Sequence, residues 1–460
     1  MTGRAQAPMA TVCHLAAYVA AARARALGAE EREAACRSLL DLVAAAAAGL
    51  DAPGPRAVRA TASAVFAGGD HPIWFSGRRT GLAGAVWCNS AAAAALDLDD
   101  GHRLARGHPG AAVIPVAVAG AEGVGAATDD LLKAIAVGYQ VGVAIGASRR
   151  FYANTGMWSG YGVVAALGLL RGTPEAALAH AFAIAGVSAP NQLHAGGGPV
   201  FPAQEGSDVK EGIPWSNVTA INALLLAEAG HTGPLGLLDV TEHFAPETLL
   251  AGLAGPPAIT RSYVKFHACC RHVHAPVEAL LGLIERHGLD PRAIDAVEVE
   301  TYSGALRIAN RAEPQGFTDM QFSIPYCLGL VALDGAEALL PLRADAVGRP
   351  EVAAFARKVS LRLDRALDAR FPAETLARVS VMAGGRRFVS PETAPRGEAS
   401  DPPSWDGLEE KLRRATRFVA SAAEQDALLS AVRALRGGDH RPLLRVFADV
   451  RLGRNRASEA

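Results

Sequence analysis

Several things are scarce in this 460-residue chain. A basic surplus is missing: 45 Lys and Arg stand against 46 Asp and Glu, and the formal net charge is −1. Without a cationic stripe or block there is no electrostatic footprint for nucleic acid, and none is expected as a partner. Cysteines number six (Cys13, Cys36, Cys88, Cys269, Cys270, Cys327) and show no framework spacing, the usage of a reducing cytoplasm. The N-terminus turns amphipathic, with Arg23 and Arg25, and lacks the apolar core of a signal peptide. Charge-free apolar runs such as Pro109 to Ala121 are too short to span a bilayer and contain Pro and Gly, so they are expected to be core helices and no membrane partner is expected. There is no Walker loop, no Rossmann glycine pattern and no G-x-S-x-G elbow, and the run Gly196-Gly-Gly-Pro199 follows no strand. A phosphate-bearing cofactor is therefore not indicated.

What is present is apolar helix. Half of the residues are hydrophobic, enough for a sizeable core. Helical spacing predicts elements at Leu15–Ala22, Glu30–Leu50, Leu82–Leu96, Leu131–Ala147, Gly160–Leu170, Glu175–Val187 and Trp215–Gly230. Ala189 to Glu205, rich in Gly, Pro and Asn, reads as a loop. The character changes near Arg261. Ala296–Tyr302 and Val359–Asp364 alternate as half-buried strands do, and Ala377–Met382 with Arg386–Ser390 predicts a hairpin across Ala-Gly-Gly. Helices at Val277–His287, Ile324–Leu333 and Pro350–Lys358 lie among these strands, and a further helical stretch runs from Leu408 to Ala448. The fold class expected is mainly α. A large helical domain would take residues 8–262 and 400–455, with a smaller α+β lid at 263–399.

Between two apolar helices lies a polar knot, Leu96-Asp-Leu-Asp-Asp-Gly-His-Arg-Leu-Ala-Arg-Gly-His-Pro-Gly110. It holds Asp97, Asp99, Asp100, His102, Arg103, Arg106 and His108. Polar groups placed between buried helices must find partners. A turn with capping aspartates is the plain reading; an active-site loop of acids, bases and anion holders is the sharper one. Lys210, the only lysine between Lys133 and Lys265, stands before a helix. It suits either a substrate carboxylate or a surface ion pair with Asp208 or Glu211. The segment Tyr263 to His274 carries Lys265, two cysteines, three histidines and Arg271. Its adjacent cysteines lack zinc-ligand spacing, so no metal is expected. Tyr326 opens an apolar helix as a proton donor or as a core tyrosine. Asp and His bases beside Lys and Arg cations suit proton transfer next to a carboxylate, where cations offset the growing negative charge.

These residues resemble the MmgE/PrpD family over nearly the whole chain. The likeness rests on Leu-Asp-Leu-Asp-Asp (96–100), His-Pro-Gly (108–110) with Val-Ile-Pro-Val-Ala, Gly-Tyr-Gln-Val (138–141) and Tyr-Gly-Val-Val-Ala-Ala (161–166). It continues with Gly-Ser-x-x-Lys (206–210), Gly-His-Thr-Gly-Pro (230–234), Lys265 before Cys270 and His274, and Ser-Ile-Pro-Tyr (323–326). The resemblance implies a helical domain with an α+β lid, a site between them, no cofactor and a homodimer. It implies catalytic positions at Asp97, His108, Lys210, Lys265 and Tyr326. Arg106 is expected to bind a carboxylate, and His102, Thr155, Ser323 and His274 are expected as further substrate contacts. Three positions depart from the family pattern. Gly101 stands where many members have Thr, Ala153 replaces the His of a His-x-Thr, and Lys210 is followed by Glu211 rather than His. The expected activity is a cofactor-independent lyase of a small di- or tricarboxylate. An epimerase using the same proton abstraction, and a non-catalytic carboxylate binder, are the alternatives.

Overall fold

Alanine and glycine at the helix contacts let the helices approach closely, and the chain folds as a mainly α protein. The computed structural model describes residues 9–66, 68–190 and 206–453. Residues 191–205 of the expected loop, including the glycine run at 196–199, lie outside these. The first body contains α1 (Thr11–Ala24), α2 (Ala29–Gly49), α3 (Pro53–Val65), α4 (Leu82–Ala94) and α5 (Gly110–Val124). It continues through α6 (Thr128–Ser148), α7 (Thr155–Arg171), α8 (Glu175–Val187), α9 (Ile213–Glu228) and α10 (Pro246–Ala254). A short ribbon of β1 (His71–Ile73) and β2 (Arg78–Thr80) is antiparallel. The α6–α7 crossing shows why glycine recurs here. A Cβ on Gly138 would lie 2.9 Å from the Gly162 carbonyl oxygen, and one on Gly162 would lie 2.6 Å from that of Gly138. Helix α6 is long and apolar enough to cross a membrane, but 94% of its most apolar window is buried in the protein. It is a core helix.

The smaller α+β part begins beyond a two-residue ladder between β3 (Gly101–His102) and β4 (Ser262–Tyr263), which pair antiparallel. Its sheet has the order β6-β5-β7-β8, built from β5 (Ile294–Thr301), β6 (Val359–Leu363), β7 (Ala377–Ala383) and β8 (Arg386–Val389). Strands β5 and β6 run parallel; β5–β7 and β7–β8 are antiparallel. The alternating strands and the hairpin anticipated from the sequence are these. Helices α11 (Arg271–His287), α12 (Ser303–Leu306), α13 (Phe317–Gln321), α14 (Ile324–Asp334), α15 (Pro350–Ala356) and α16 (Arg365–Asp368) complete this part. The chain then returns to the first body through α17 (Trp405–Thr416), α18 (Ala422–Arg436) and α19 (Arg441–Asp449). Phe447 stacks on Trp74 with ring centroids 4.1 Å apart. Lys411 of α17 forms a fully buried ion pair with Asp41 of α2 and donates to the Leu98 carbonyl at 2.9 Å.

That pair stabilises little relative to a hydrophobic replacement, because burial pushes the Asp41 carboxyl up and the Lys411 ammonium down despite their attraction. Breaking it is another matter. Lys411→Met should lower unfolding free energy by about 3–5 kcal/mol, since Asp41 is left buried without its cation. Asp41→Leu combined with Lys411→Met should regain most of that loss; urea denaturation of the three proteins measures both effects.

Candidate active site

Helix α4 ends where the knot begins, and its last carbonyls collect side-chain donors, one of them a cation. Lys210 Nζ donates to the Ala94 oxygen at 3.0 Å and Gln321 Nε2 to the Ala95 oxygen at 2.8 Å, a favourable place for positive charge at a helix C-terminus. Asp97 then turns the chain with φ +51°, a left-handed conformation costing a non-glycine residue about 1–2 kcal/mol. The alternation Leu-Asp-Leu-Asp serves this turn. Leu96 and Leu98 are buried in the core, while Asp97 and Asp99 face the cations. The β3–β4 ladder brings in the segment that carries Lys265. Asp97 Oδ1 accepts a hydrogen bond from Lys265 Nζ and lies 2.8 Å from Lys210 Nζ and 3.3 Å from His108 Nε2. Asp99 is 3.6 Å from Lys210 Nζ and 3.5 Å from His108 Nδ1. Four of the sequence-identified residues, Asp97, His108, Lys210 and Lys265, thus meet in one cluster whose members are at most 6% exposed.

His108 is held from both sides. Its Nδ1 lies 2.7 Å from the Asp100 carbonyl oxygen, which can only accept, so Nδ1 carries the proton and Nε2 is left toward the cluster. Its backbone N–H donates to Thr155 Oγ1 at 3.3 Å. The Thr155 hydroxyl donates in turn to Glu211, whose carboxylate also takes the Thr155 N–H at 3.3 Å and lies 4.0 Å from His108 Nε2. Glu211 therefore caps the start of α7 with its side chain, and its carbonyl takes the Gly156 N–H at 2.8 Å. Its φ is +52°. Glu211 and Asp99 belong to the site but were not singled out as site residues from the sequence; the available signal was Glu211 occupying the position after Lys210 where the family has His. Gly107 is required here, because a Cβ would sit 2.3 Å from Thr155 Oγ1.

Electrostatics follow the same geometry. Burial alone would push the Asp97 carboxyl up, but Lys210, Lys265 and His108 outweigh it and hold it well below the usual range. Lys265 is raised: burial works against its charge, and Asp97 and Asp99 more than offset that. Asp100 goes the other way. Burial, then the Asp41 charge, push it up to about 7 although Tyr139 Oη donates to it at 2.8 Å and the Gly110 N–H at 3.0 Å. Asp97, Asp99 and His108 also offer ligand atoms within 4.8 Å of one another, but a divalent ion there would have to displace or oppose two ammonium groups.

The other expected residues have the following partners. Tyr326 donates its hydroxyl to the Ala346 carbonyl at 2.6 Å and accepts from the Arg349 N–H at 3.1 Å, inside the α+β part. Ser323 caps α14, accepting from the Tyr326 N–H at 3.1 Å and donating to the Arg311 carbonyl at 2.5 Å. His274 is buried within α11, its Nε2 3.2 Å from the Cys269 carbonyl oxygen and its Nδ1 3.4 Å from Arg271 Nη1. His102 belongs to the β3–β4 ladder, and burial with the nearby Arg261 charge pushes it down to about 4. Arg106 is exposed, its guanidinium 5.7 Å from the Tyr152 ring centre. Burial and the Asp97 charge push the Cys270 thiol up to about 12, which disfavours the thiolate.

The raised Asp100 carboxyl gives a pH prediction. Its folded value of about 7 exceeds its ordinary 3.8, so its contribution to stability is fully present below pH 3.8 and is lost as pH rises toward 7, by about 4 kcal/mol in all. His102 and His272, both pushed down to about 4 by burial, act with the opposite sign from about pH 4 to 6.5. The depressed Asp97 loses its contribution only below about pH 4. Asp100 is therefore isolated by difference: relative to Asp100→Asn, wild type should lose stability between pH 4 and 7. Urea unfolding of both proteins across that range reads the effect.

Comparisons with known proteins identify the family. Residues 13–249 match the MmgE/PrpD N-terminal domain and residues 267–436 match the MmgE/PrpD C-terminal domain. Two curated relatives are both named cis-aconitate decarboxylase. One, from Aspergillus terreus, is 27% identical over 363 residues, covering 70% of this chain and 72% of the relative. The other, from Aspergillus terreus strain NIH 2624 / FGSC A1156, is 27% identical over 392 residues, covering 76% of this chain and 77% of the relative. The matched domains span the cluster from Asp97 to Lys210 and nearly all of the α+β part, and on that ground the chain belongs to the MmgE/PrpD family.

Proposed function

We propose that this protein is a lyase of the dehydratase/decarboxylase type that acts on a small di- or tricarboxylate through proton transfer at the carbon beside a carboxylate, without a cofactor. The observation that carries the reading is the convergence of Lys210, Lys265 and His108 on one oxygen of Asp97. Family membership and the name of the two curated relatives support the reaction type.

Each group has work in such a reaction. The lysine ammonium groups hold a substrate carboxylate and offset the charge that develops on it, the part a metal ion would otherwise take. Asp97 keeps both ammonium groups aligned and favours the charged form of Lys265. His108, with Nδ1 committed to the Asp100 carbonyl, exchanges a proton through Nε2. In dehydration Nε2 takes the proton from carbon, the C–H electron pair becomes the new double bond, and hydroxide departs with a proton to become water. In decarboxylation the C–C bond breaks, carbon dioxide leaves, and the electron pair left on carbon takes the proton from the imidazolium.

Proton NMR of the purified protein in heavy water, with cis-aconitate, citrate and other di- and tricarboxylates, tests this. Consumption of one acid with release of water or carbon dioxide is expected, with deuterium at the reacting carbon where protonation completes the reaction. Solvent deuterium entering an acid that is not consumed would replace the lyase by an epimerase. A panel left wholly unchanged would overturn catalysis on these acids. His108→Ala and Lys265→Met should each lower turnover by about 10²–10⁴-fold.

A further inference from the structure

The cluster is short of positive charge for the substrate proposed. Lys210 and Lys265 face Asp97 and Asp99, with Glu211 beside His108, so the ammonium charges are formally matched before any substrate enters. A di- or tricarboxylate brings at least one carboxylate more than these lysines can balance. A second source of cation should therefore border the site.

Arg149 has the features required. It follows α6 and is 4% exposed. None of its three guanidinium nitrogens has a hydrogen-bond partner among the described residues, and no carboxylate oxygen there lies within ion-pair distance. A buried guanidinium without partners is costly and uncommon. Its backbone is fixed by a bridge to Phe244, with the Ala245 N–H donating to Ser148 at 2.8 Å and the Arg150 N–H to His243 at 2.8 Å. The side chain lies against Tyr152, 5.5 Å from the ring centre, and Arg106 lies 5.7 Å from the same ring. Arg106 is held with φ +47° at the end of the knot turn, two residues before His108. The two guanidinium groups thus border one aromatic ring three residues before Thr155, which meets Glu211 at the start of α7. Burial and the Arg106 charge lower the Arg149 guanidinium to about 10, with Glu211 pulling it back. This places Arg106 and Glu211 in its electrostatic surroundings.

We infer that Arg149, with Arg106 and Tyr152, forms the subsite for the distal carboxylate of the substrate and sets selectivity for di- and tricarboxylates over monocarboxylates. This rests on the carboxylate-lyase reading and deepens it. A guanidinium offers a carboxylate two parallel N–H donors, a geometry an ammonium cannot reproduce.

Inert acids test the subsite separately from turnover. Isothermal titration of the full-length protein with tricarballylate, glutarate and butyrate is compared across wild type, Arg149→Met, Arg149→Lys and Arg106→Met. Wild type should bind the first two at least about 10-fold more tightly than butyrate. Arg149→Met should erase that preference while leaving butyrate affinity within about twofold, and should melt no lower than wild type, because an unpartnered buried charge has been removed. Arg149→Lys should restore only part of the preference, and Arg106→Met, a change at the surface, should reduce it several-fold. Should Arg149→Met fail to fold, the lysine and Arg106 variants carry the test. Unchanged preference in the variants overturns the subsite even if the wild-type enzyme turns over, and so does a wild type that does not prefer polycarboxylates. Lost preference in Arg149→Met supports the subsite even if the reaction turns out to be an epimerisation.

Discussion

One buried carboxylate oxygen organises this protein. Asp97 Oδ1 is shared by two ammonium groups and approached by an imidazole, all nearly excluded from water. Taking such charges out of water costs several kcal/mol per ion unless each finds an opposite partner. The pairing must therefore be supplied by whatever segments can reach it. Those segments come from the knot after α4, the approach to α9, and the chain just beyond β4. The small β3–β4 ladder joins the third to the first, and Gly101 is what lets it close. A Cβ at that position would lie 2.3 Å from Tyr263 Oη, so the departure from the threonine common in the family makes room for the Tyr263 ring.

A second ring of charge supports the first. Lys411 reaches from α17 to Asp41 and to the Leu98 carbonyl between Asp97 and Asp99. On the other side Arg103 and Arg271 both hold Glu398 and lie 5.5 Å and 4.5 Å from the Tyr263 ring centre. The knot is thereby tied to the first body by one network and to the α+β part by the other. The C-terminal family match extends to residue 436, and its last portion includes α17, which packs back against α2 and delivers Lys411. Of five lysines in the chain, three stand in or directly behind the cluster. In a protein that otherwise uses arginine, a compact ammonium is retained where several acceptors must share one donor.

Much of this was legible beforehand. The concentration of acids, histidines and arginines between apolar helices marked the knot, and the isolation of Lys210 marked the second segment. The long helices and the alternating strands followed from their periodicity. Tyr326, Ser323 and His274 were different. Each is a polar residue at or near a helix start, and nothing in the local pattern separates a side chain facing substrate from one that satisfies a backbone carbonyl or caps a helix. Glu211 and Arg149 were passed over for the converse reason. An acid next to a lysine reads as an ordinary surface pair, and an arginine after a helix reads as a cap to its carbonyls.

The amino-acid sequence alone determined which segments are helix or strand, where polar residues interrupt the core, and to which family the chain is similar, because those properties depend on residues near one another along the chain. Only the tertiary structure decided which charges neutralise each other and which guanidinium has no hydrogen-bond partner among the described residues. Residues 97, 108, 210 and 265 acquire their shared environment through packing contacts across distant segments. The worth of a buried charge depends on what surrounds it in space, and spacing along the chain carries no record of that.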